Sequence, residues 1–478
     1  MNIFIGRHHE LKKLRDLPAH KANLVVLKGR RRIGKSRLAA EFARDKIFLS
    51  FSGISPHDKT TIQDQLDEFA RQFYAHFKLP PLTFKDWSDA FINLTEQLTT
   101  QPTVILLDEI SWMGDKDPAF IGKLKIWWDL YLQKYTNLTL ILCGSVSTWI
   151  EENIINSTAL FGRISLFLSL EELSISESYT FLQHLNFKGS NHDIFKVLAI
   201  TGGIPWYLEQ ISPYVFADEN IRNLCFSKEG ILTHEFDRIF SDLFDVRGLI
   251  YKRIVQALAN GSKTLAELRT LLDYKQGGVL GTYLKSLCVA GFISSDNMWS
   301  LKKKKEGKQN LYRLSDNYLR FYLKYIEPNS MKIEKNTFRY QTLADLPGWN
   351  SIMGLQVENL ILKNRATLIQ KIGIPFQDII ADTPYIQKQT KQHRGCQIDY
   401  LIQTKANNLI VCEFKFQKNE LNSSVVEEVK EKIQRLSIPK GFGVATVLVH
   451  IGEISESISD SQYFYRIINL NDWLENIK

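Results

Sequence analysis

The chain carries an eight-residue run, Gly29-Arg30-Arg31-Arg32-Ile33-Gly34-Lys35-Ser36, that fits the spacing G-x-x-x-x-G-K-[ST] without a mismatch. Side chains of these types at this spacing are suited to phosphate binding. The glycines let successive backbone N–H groups close around phosphate oxygens, and a helix starting at the lysine adds a favourable dipole. Lys35 is then expected to reach the β- and γ-phosphates of ATP and Ser36 to ligate Mg²⁺, with the nucleotide-binding stretch running from Gly29 through Arg37. The plainer alternative is a glycine turn that happens to carry a lysine.

A second constellation supplies the partner that such a loop requires. Val104-Ile105-Leu106-Leu107 is an apolar run ending in two carboxylates, Asp108 and Glu109. A metal–nucleotide complex needs an acidic group opposite the loop, at the C-terminal edge of a nearby strand. Asp108 is expected to hold Mg²⁺, directly or through water, and Glu109 to orient or polarise the attacking water. The run Leu138-Thr139-Leu140-Ile141-Leu142-Cys143 delivers Ser145, for which two roles are open: sensing the γ-phosphate or capping the next helix. Arg163, after Leu160-Phe161-Gly162, is either an arginine finger on a neighbouring subunit's nucleotide or half of a surface salt bridge.

A third constellation lies near the C-terminus. Cys396–Ile402 reads as a strand carrying Asp399, Asn407-Asn408 as a turn, and Leu409–Lys415 as the returning strand. Period-two alternation puts Glu413 and Lys415 on one face, and strand pairing brings Asp399 beside them. Two carboxylates can hold Mg²⁺ while the lysine stabilises developing phosphate charge, and Glu358 on a preceding helix can complete the acidic set. This arrangement is similar to the PD-(D/E)xK restriction-endonuclease-like superfamily, and the likeness implies a nuclease-like fold. The alternative is a hairpin with a cross-strand salt bridge.

These groups need elements to position them. Leu24-Val25-Val26-Leu27 has the character of a strand buried on both faces, and Leu38, Ala39, Phe42 and Ala43 follow the loop at helical spacing. Lys46–Phe51 reads as a second strand. Ile62, Leu66, Phe69 and Phe73, then Trp87, Phe91, Leu94 and Leu98, form two apolar helix stripes, expected as core. Ile5-Gly6-Arg7 with Glu10, Leu11 and Leu14 begins a short helix that either caps the sheet or covers an adenine. Gly202-Gly203-Ile204-Pro205 marks a sharp turn into a helix. From Gly248, helices are expected over Leu249–Leu258, Thr264–Leu271 and Val279–Val289, followed by a hairpin ending at Tyr312-Arg313-Leu314. That order indicates a winged helix-turn-helix with Thr282 and Lys285 as polar readers of DNA and Lys302–Lys305 and Lys308 at the wing tip; a spacer domain is the alternative.

At 478 residues the chain exceeds what a single core usually serves. Its 44% hydrophobic and 23% charged residues are ordinary for a soluble protein. Stretches of about 18 apolar residues are absent and Met1-Asn2-Ile3-Phe4 has no signal-like character, so a membrane-spanning role is excluded and a cytoplasmic location expected. The five scattered cysteines are expected as reduced core residues, and the net charge of +8 permits a polyanionic partner such as DNA.

The order Ile-Gly-Arg, phosphate loop, Leu-Leu-Asp-Glu, Cys-Gly-Ser, Phe-Gly-Arg, Gly-Gly-Ile-Pro resembles the prokaryotic archaeal-type ATPases, relatives of the AAA+ proteins within the STAND-like branch. The likeness covers about the first half of the chain; a proline or tyrosine common near the arginine in that family is replaced here by Ala159-Leu160-Phe161. The expected fold class is α/β: a P-loop parallel sheet over 1–165, a helical lid over 166–245, a winged helix over 246–327 and a small restriction-endonuclease-like domain over 340–478. The first reading of the chain is an ATPase coupled to DNA binding, with DNA cleavage by the C-terminal module and homo-oligomerisation as further expectations. The alternative is a nucleotide-dependent switch of STAND type with an inactive nuclease-like domain.

Overall fold

In the computed structural model Leu24-Val25-Val26-Leu27 lies in β1 (Asn23–Gly29), and each of its four side chains is at most 1% exposed. Residues 4–55, 60–80, 82–145, 148–244, 248–274, 278–340, 342–389, 394–417 and 419–474 are described. β1 sits between β4 (Leu138–Ser145) and β5 (Ile164–Leu170), with β3 (Thr103–Asp108) beyond β4 and β2 (Ile47–Ser52) at the far edge. All neighbours are parallel, so every strand releases its chain at the same edge of the sheet. Register does the positioning: Gly29 lies opposite Ser145, and Ser52 opposite Asp108.

The expected aromatic stripes are core. Phe51 stacks on Phe69 with centroids 4.4 Å apart, and Phe91 lies parallel to Trp127 at the same distance. The Trp127 indole N–H donates to Thr95 Oγ1 at 2.7 Å, so the ring is buried without stranding its polar atom. Helix Ile62–Phe77 begins at Thr61 in a capping box with Asp64, and helix Trp87–Glu96 is capped by Asp86.

The chain divides into two compact units, Met1–Glu172 and Leu173–Lys478. The boundary expected at 165 is too early, because β5 runs on to Leu170 as a strand of the sheet. Residues expected as a lid, a winged helix and a nuclease-like domain together form the second unit. It holds helices Gly248–Leu258, Leu265–Leu272 and Val279–Val289, then a three-stranded antiparallel sheet of β6 (Lys263–Thr264), β8 (Lys305–Leu314) and β7 (Ile293–Ser300) in that order. Thr264, expected inside the second helix, is its N-cap: its side chain accepts from the Glu267 N–H. A second five-stranded sheet follows, ordered β13 (Arg466–Asn469), β12 (Gly443–Ile451), β11 (Asn408–Phe416), β10 (Cys396–Thr404), β9 (Ile379–Gln387). β9, β10 and β11 are antiparallel, whereas β11, β12 and β13 are parallel, and helix Ser424–Arg435 makes the crossover from β11 to β12.

The lysine-rich hairpin is anchored by its apolar and aromatic residues. Leu301 is buried in one cluster with Ile398, Leu401 and Leu409, and the Trp299 N–H donates to Gln403 Oε1 at 2.6 Å. Lys304 donates to Asn407 Oδ1 at 2.6 Å. The hairpin is therefore docked on the second sheet, with Lys304 engaged by Asn407; Lys302–Lys305 and Lys308 are all exposed.

The Gly202-Gly203 turn shows why two glycines stand there. Gly202 (φ 64°) ends helix Asn191–Thr201 and Gly203 (φ 77°) follows it, both in the left-handed region. A Cβ on Gly203 would lie 2.5 Å from the Leu173 carbonyl oxygen, whereas one on Gly202 would meet only Asn317 Cβ at 3.5 Å. Gly203→Ala should therefore destabilise the protein by about 2–4 kcal/mol and Gly202→Ala by about 1–2 kcal/mol, as measured by denaturant unfolding of the full chain. Equal losses would refute the carbonyl overlap.

Candidate functional site

The loop after β1 is fixed from below. Ile33 is fully buried, Arg32 (φ 68°) and Gly34 (φ 91°) turn the chain through the left-handed region, and helix Lys35–Phe42 starts at once. A Cβ on Gly29 would stand 2.8 Å from the Leu170 carbonyl oxygen, so only glycine lets the loop leave β1 this close to β5. Arg7, buried and itself at φ 59°, donates to the Ile33 carbonyl at 3.1 Å and also to that of Glu171. The Ile5-Gly6-Arg7 segment thus holds the loop by an arginine, a role that its sequence did not disclose. Arg30 pairs with Glu172 at 3.6 Å, and the Arg31 guanidinium lies over the Trp112 ring.

Lys35 is buried, and its ammonium donates to the carbonyls of Gly29 (3.0 Å) and Arg30 (3.1 Å), inside the loop. Ser36 and Arg37 are exposed in the first helical turn. Ser36 Oγ donates to Asp108 Oδ2 at 2.5 Å, while Asp108 Oδ1 accepts the Glu109 N–H at 3.0 Å. Both carboxylate oxygens are therefore aimed. Glu109 leaves β3 at φ 49°, and its carboxylate accepts from Ser145 Oγ at 3.1 Å and from the Ser145 N–H at 3.3 Å. Because β4 lies between β1 and β3, Ser145 at its end meets the glutamate directly. Beneath them burial, reinforced by the Asp108 charge, pushes the Cys143 thiol well up and keeps it protonated.

Arg163 is committed within its own unit: Nε and Nη2 each donate to Asp129 at 2.7 Å. The Arg163 hydrogen bonds, with help from Lys125, hold the Asp129 carboxyl down at about 2.

In the second unit β10 and β11 pair with Tyr400 opposite Cys412, a register that sets Asp399 across from Glu413 one step on. Asp399 Oδ2 accepts the Phe414 N–H at 2.9 Å. Glu413, 2% exposed, takes Lys415 on Oε1 at 3.0 Å and Lys432 on Oε2 at 2.5 Å. Lys415 also reaches Glu428 at 2.6 Å. Burial and the neighbouring Glu413 charge push the Asp399 carboxyl up from the ordinary carboxylate range.

Glu358 lies within electrostatic reach of the pair: its charge helps to raise the Asp399 carboxyl, and Lys432 acts on both. Among the described residues no three or more His, Cys, Asp or Glu side chains are grouped to hold a metal ion. Burial raises the Glu358 carboxyl, and the opposing charges closest in effect are Arg313 and Arg320, both buried. The helix that carries Glu358 (Trp349–Lys363) is tied to those arginines, Asn359 accepting from Arg313 and Gln356 Oε1 from Arg320 at 3.0 Å. Lys432 was missed from sequence. Its signal was a cation three residues beyond Val429, on the apolar stripe of its helix.

Residues 4–211 match a family described as an ATPase domain predominantly from Archaea. An uncharacterised protein of Methanocaldococcus jannaschii, MJECL04, is 25% identical over 405 residues, 84% of each chain. The Walker-type ATPase PABY2304 of Pyrococcus abyssi is 18% identical with a TM-score of 0.48, over 67% of this chain and 96% of that one. The ORC2 protein of Aeropyrum pernix, solved in ADPNP–ADP complexes, is 13% identical with a TM-score of 0.43, over 70% of this chain and 97% of that one. The stretch 4–211 that matches this ATPase domain contains Gly29–Arg37, Asp108, Glu109 and Ser145.

Proposed function

We propose that this chain is a Mg²⁺-dependent ATPase whose nucleotide state acts on DNA through its second unit. The supporting observation is the 2.5 Å contact of Ser36 Oγ with Asp108 Oδ2, which joins the loop helix to the acidic strand end. A hydroxyl and a carboxylate are the hard oxygen donors that Mg²⁺ accepts alongside water and phosphate. Bound there, Mg²⁺ would neutralise charge on the phosphate oxygens. The chain's own residues do the rest. Lys35 exchanges two loop carbonyls for the β- and γ-phosphate oxygens, and the loop N–H groups hold the remaining oxygens. Glu109 orients water for attack on the γ-phosphorus, and Ser145 fixes the rotamer from which it does so.

We assign 1–172 to the ATPase core, 173–245 to its lid, 246–327 to a winged helix and 340–478 to a PD-(D/E)xK-like domain. The helix–helix–helix–hairpin order supports the third assignment, and the Asp399, Glu413 and Lys415 cluster supports the fourth. A cytoplasmic location accords with five free cysteines and with the lack, among the described residues, of a helix long and apolar enough to cross a membrane. The second reading is a nucleotide-dependent switch with an inactive nuclease-like domain; the pairing of Glu413 with two lysines favours it.

Lys35→Ala should abolish ATP turnover and weaken ATP binding, read by phosphate release and calorimetry. Glu109→Gln should keep ATP binding while turnover falls about 10²-fold or more; unchanged turnover would remove Glu109 from the mechanism. Asp399→Ala should lose Mg²⁺-dependent DNA cleavage with ATP binding intact, and a wild type that cuts neither single-stranded nor duplex DNA would leave the switch reading standing.

The Asp129 geometry favours the ion pair over the finger for Arg163, and with it a site complete without a neighbouring subunit. Arg163→Ala should lower the melting temperature at pH 7 with turnover per folded molecule unchanged. Since Asp129 has a lowered pKa when folded, this stabilisation is present above about pH 4 and fades as the pH falls toward 2. A collapse of turnover without thermal loss would restore the finger and a homo-oligomer.

A further inference from the structure

Resting on the nuclease-like reading of the second unit, the strongest remaining feature is the side chain that closes the carboxylate pair. Lys432 comes from helix Ser424–Arg435, outside the β10–β11 hairpin, and puts its ammonium 2.5 Å from Glu413 Oε2 and 3.9 Å from Asp399 Oδ1. Lys415 already serves the other Glu413 oxygen, so Lys432 is not needed to give that carboxylate a first cation. Lys432 follows Val425 and Val429 at helical spacing, on the face of the helix whose Val425, Val426 and Val429 are buried, so it projects from the packed side of the helix.

We propose that Lys432 is a resident counter-cation occupying the seat between Asp399 and Glu413, and that a divalent cation binds there only by displacing it. Two carboxylates facing each other with little access to water repel unless a cation lies between them. Lys432 supplies one positive charge through a charge-assisted hydrogen bond, where a divalent ion would supply two. The ammonium and the ion cannot share the seat, because they are like charges competing for the same lone pairs. Ion entry therefore costs the Lys432–Glu413 bond and requires the lysine, or its helix, to withdraw. The wild-type site is consequently a weak binder of divalent ions, and a displacement of helix Ser424–Arg435 is what opens it.

The test uses full-length, nucleotide-free protein at fixed pH with Mn²⁺ as the probe, bound ion being counted by electron paramagnetic resonance. Ions whose binding disappears in Asp399→Asn belong to this seat. Lys432→Met should bind them about tenfold or more tighter than wild type, the cost of one hydrogen bond between charged groups having been removed. In chelator it should melt below wild type and recover more on Mn²⁺ addition, since its carboxylates then lack a counter-cation. Lys432→Gln, which keeps a donor without the charge, should lie on the same side of wild type and guards against misfolding of the methionine variant. Asp399-dependent binding that is no tighter in either variant than in wild type overturns the proposal alone. No Asp399-dependent Mn²⁺ binding in any variant overturns the nuclease-like reading, and the Lys432 proposal with it.

Discussion

The candidate nucleotide site depends on one short contact, the 2.5 Å hydrogen bond from the Ser36 hydroxyl to the Asp108 carboxylate. Seventy-two residues separate the two in sequence, and sheet register brings them together. β1 and β3 are both parallel to the β4 that separates them, so loop and carboxylate emerge at the same edge. A one-residue slip in β3 would turn Asp108 to the opposite face of the sheet and open the contact. A slip that drew Asp108 back would also put its carboxylate among the nearly completely buried side chains of Val104–Leu107, where an unpaired charge is costly.

Around that contact, each charged group is given a partner that also fixes its direction. Lys35 is held by two loop carbonyls, Asp108 by the Ser36 hydroxyl and the Glu109 N–H, and Glu109 by Ser145. These are exchangeable partners: backbone carbonyls and a serine can be given up for phosphate and water at modest net cost. The second unit follows a different rule. There Glu413 is paired with full charges, Lys415 and Lys432, and buried charge pairs are costly to separate. The first arrangement resembles a site ready for substrate, the second one that is latched.

The sequence made the first site legible because its motifs are contiguous. The loop is one run of eight residues, and the acidic pair ends a single apolar strand, so local pattern sufficed for Lys35, Ser36, Asp108 and Glu109. Ser145 was found, yet its bond to Glu109 depends on β4 lying beside β3, which no local pattern reveals. Likewise Arg7, 26 residues from the carbonyl that it holds, reads locally as an ordinary helix-starting arginine. β5 was overlooked although Ile164, Leu166, Leu168 and Leu170 alternate with more polar residues, because Phe167 interrupts the period. The docking of the β7–β8 hairpin was concealed by its four consecutive lysines: the run drew attention to charge, while the residues that seat it are Trp299 and Leu301. Lys432 was hidden in the same way, as one charge among many on a helix with an acidic and basic exterior.

The most direct test of the central claim is a ligand swap at Ser36. In Ser36→Cys the hard hydroxyl becomes a soft thiol, which disfavours Mg²⁺ and favours a thiophilic ion such as Cd²⁺. The account predicts that ATP binding by Ser36→Cys is weakened with Mg²⁺ and recovered with Cd²⁺, whereas the wild type shows the reverse preference. A variant that binds ATP equally well with either ion would contradict it, because Ser36 would then lie outside the metal's reach.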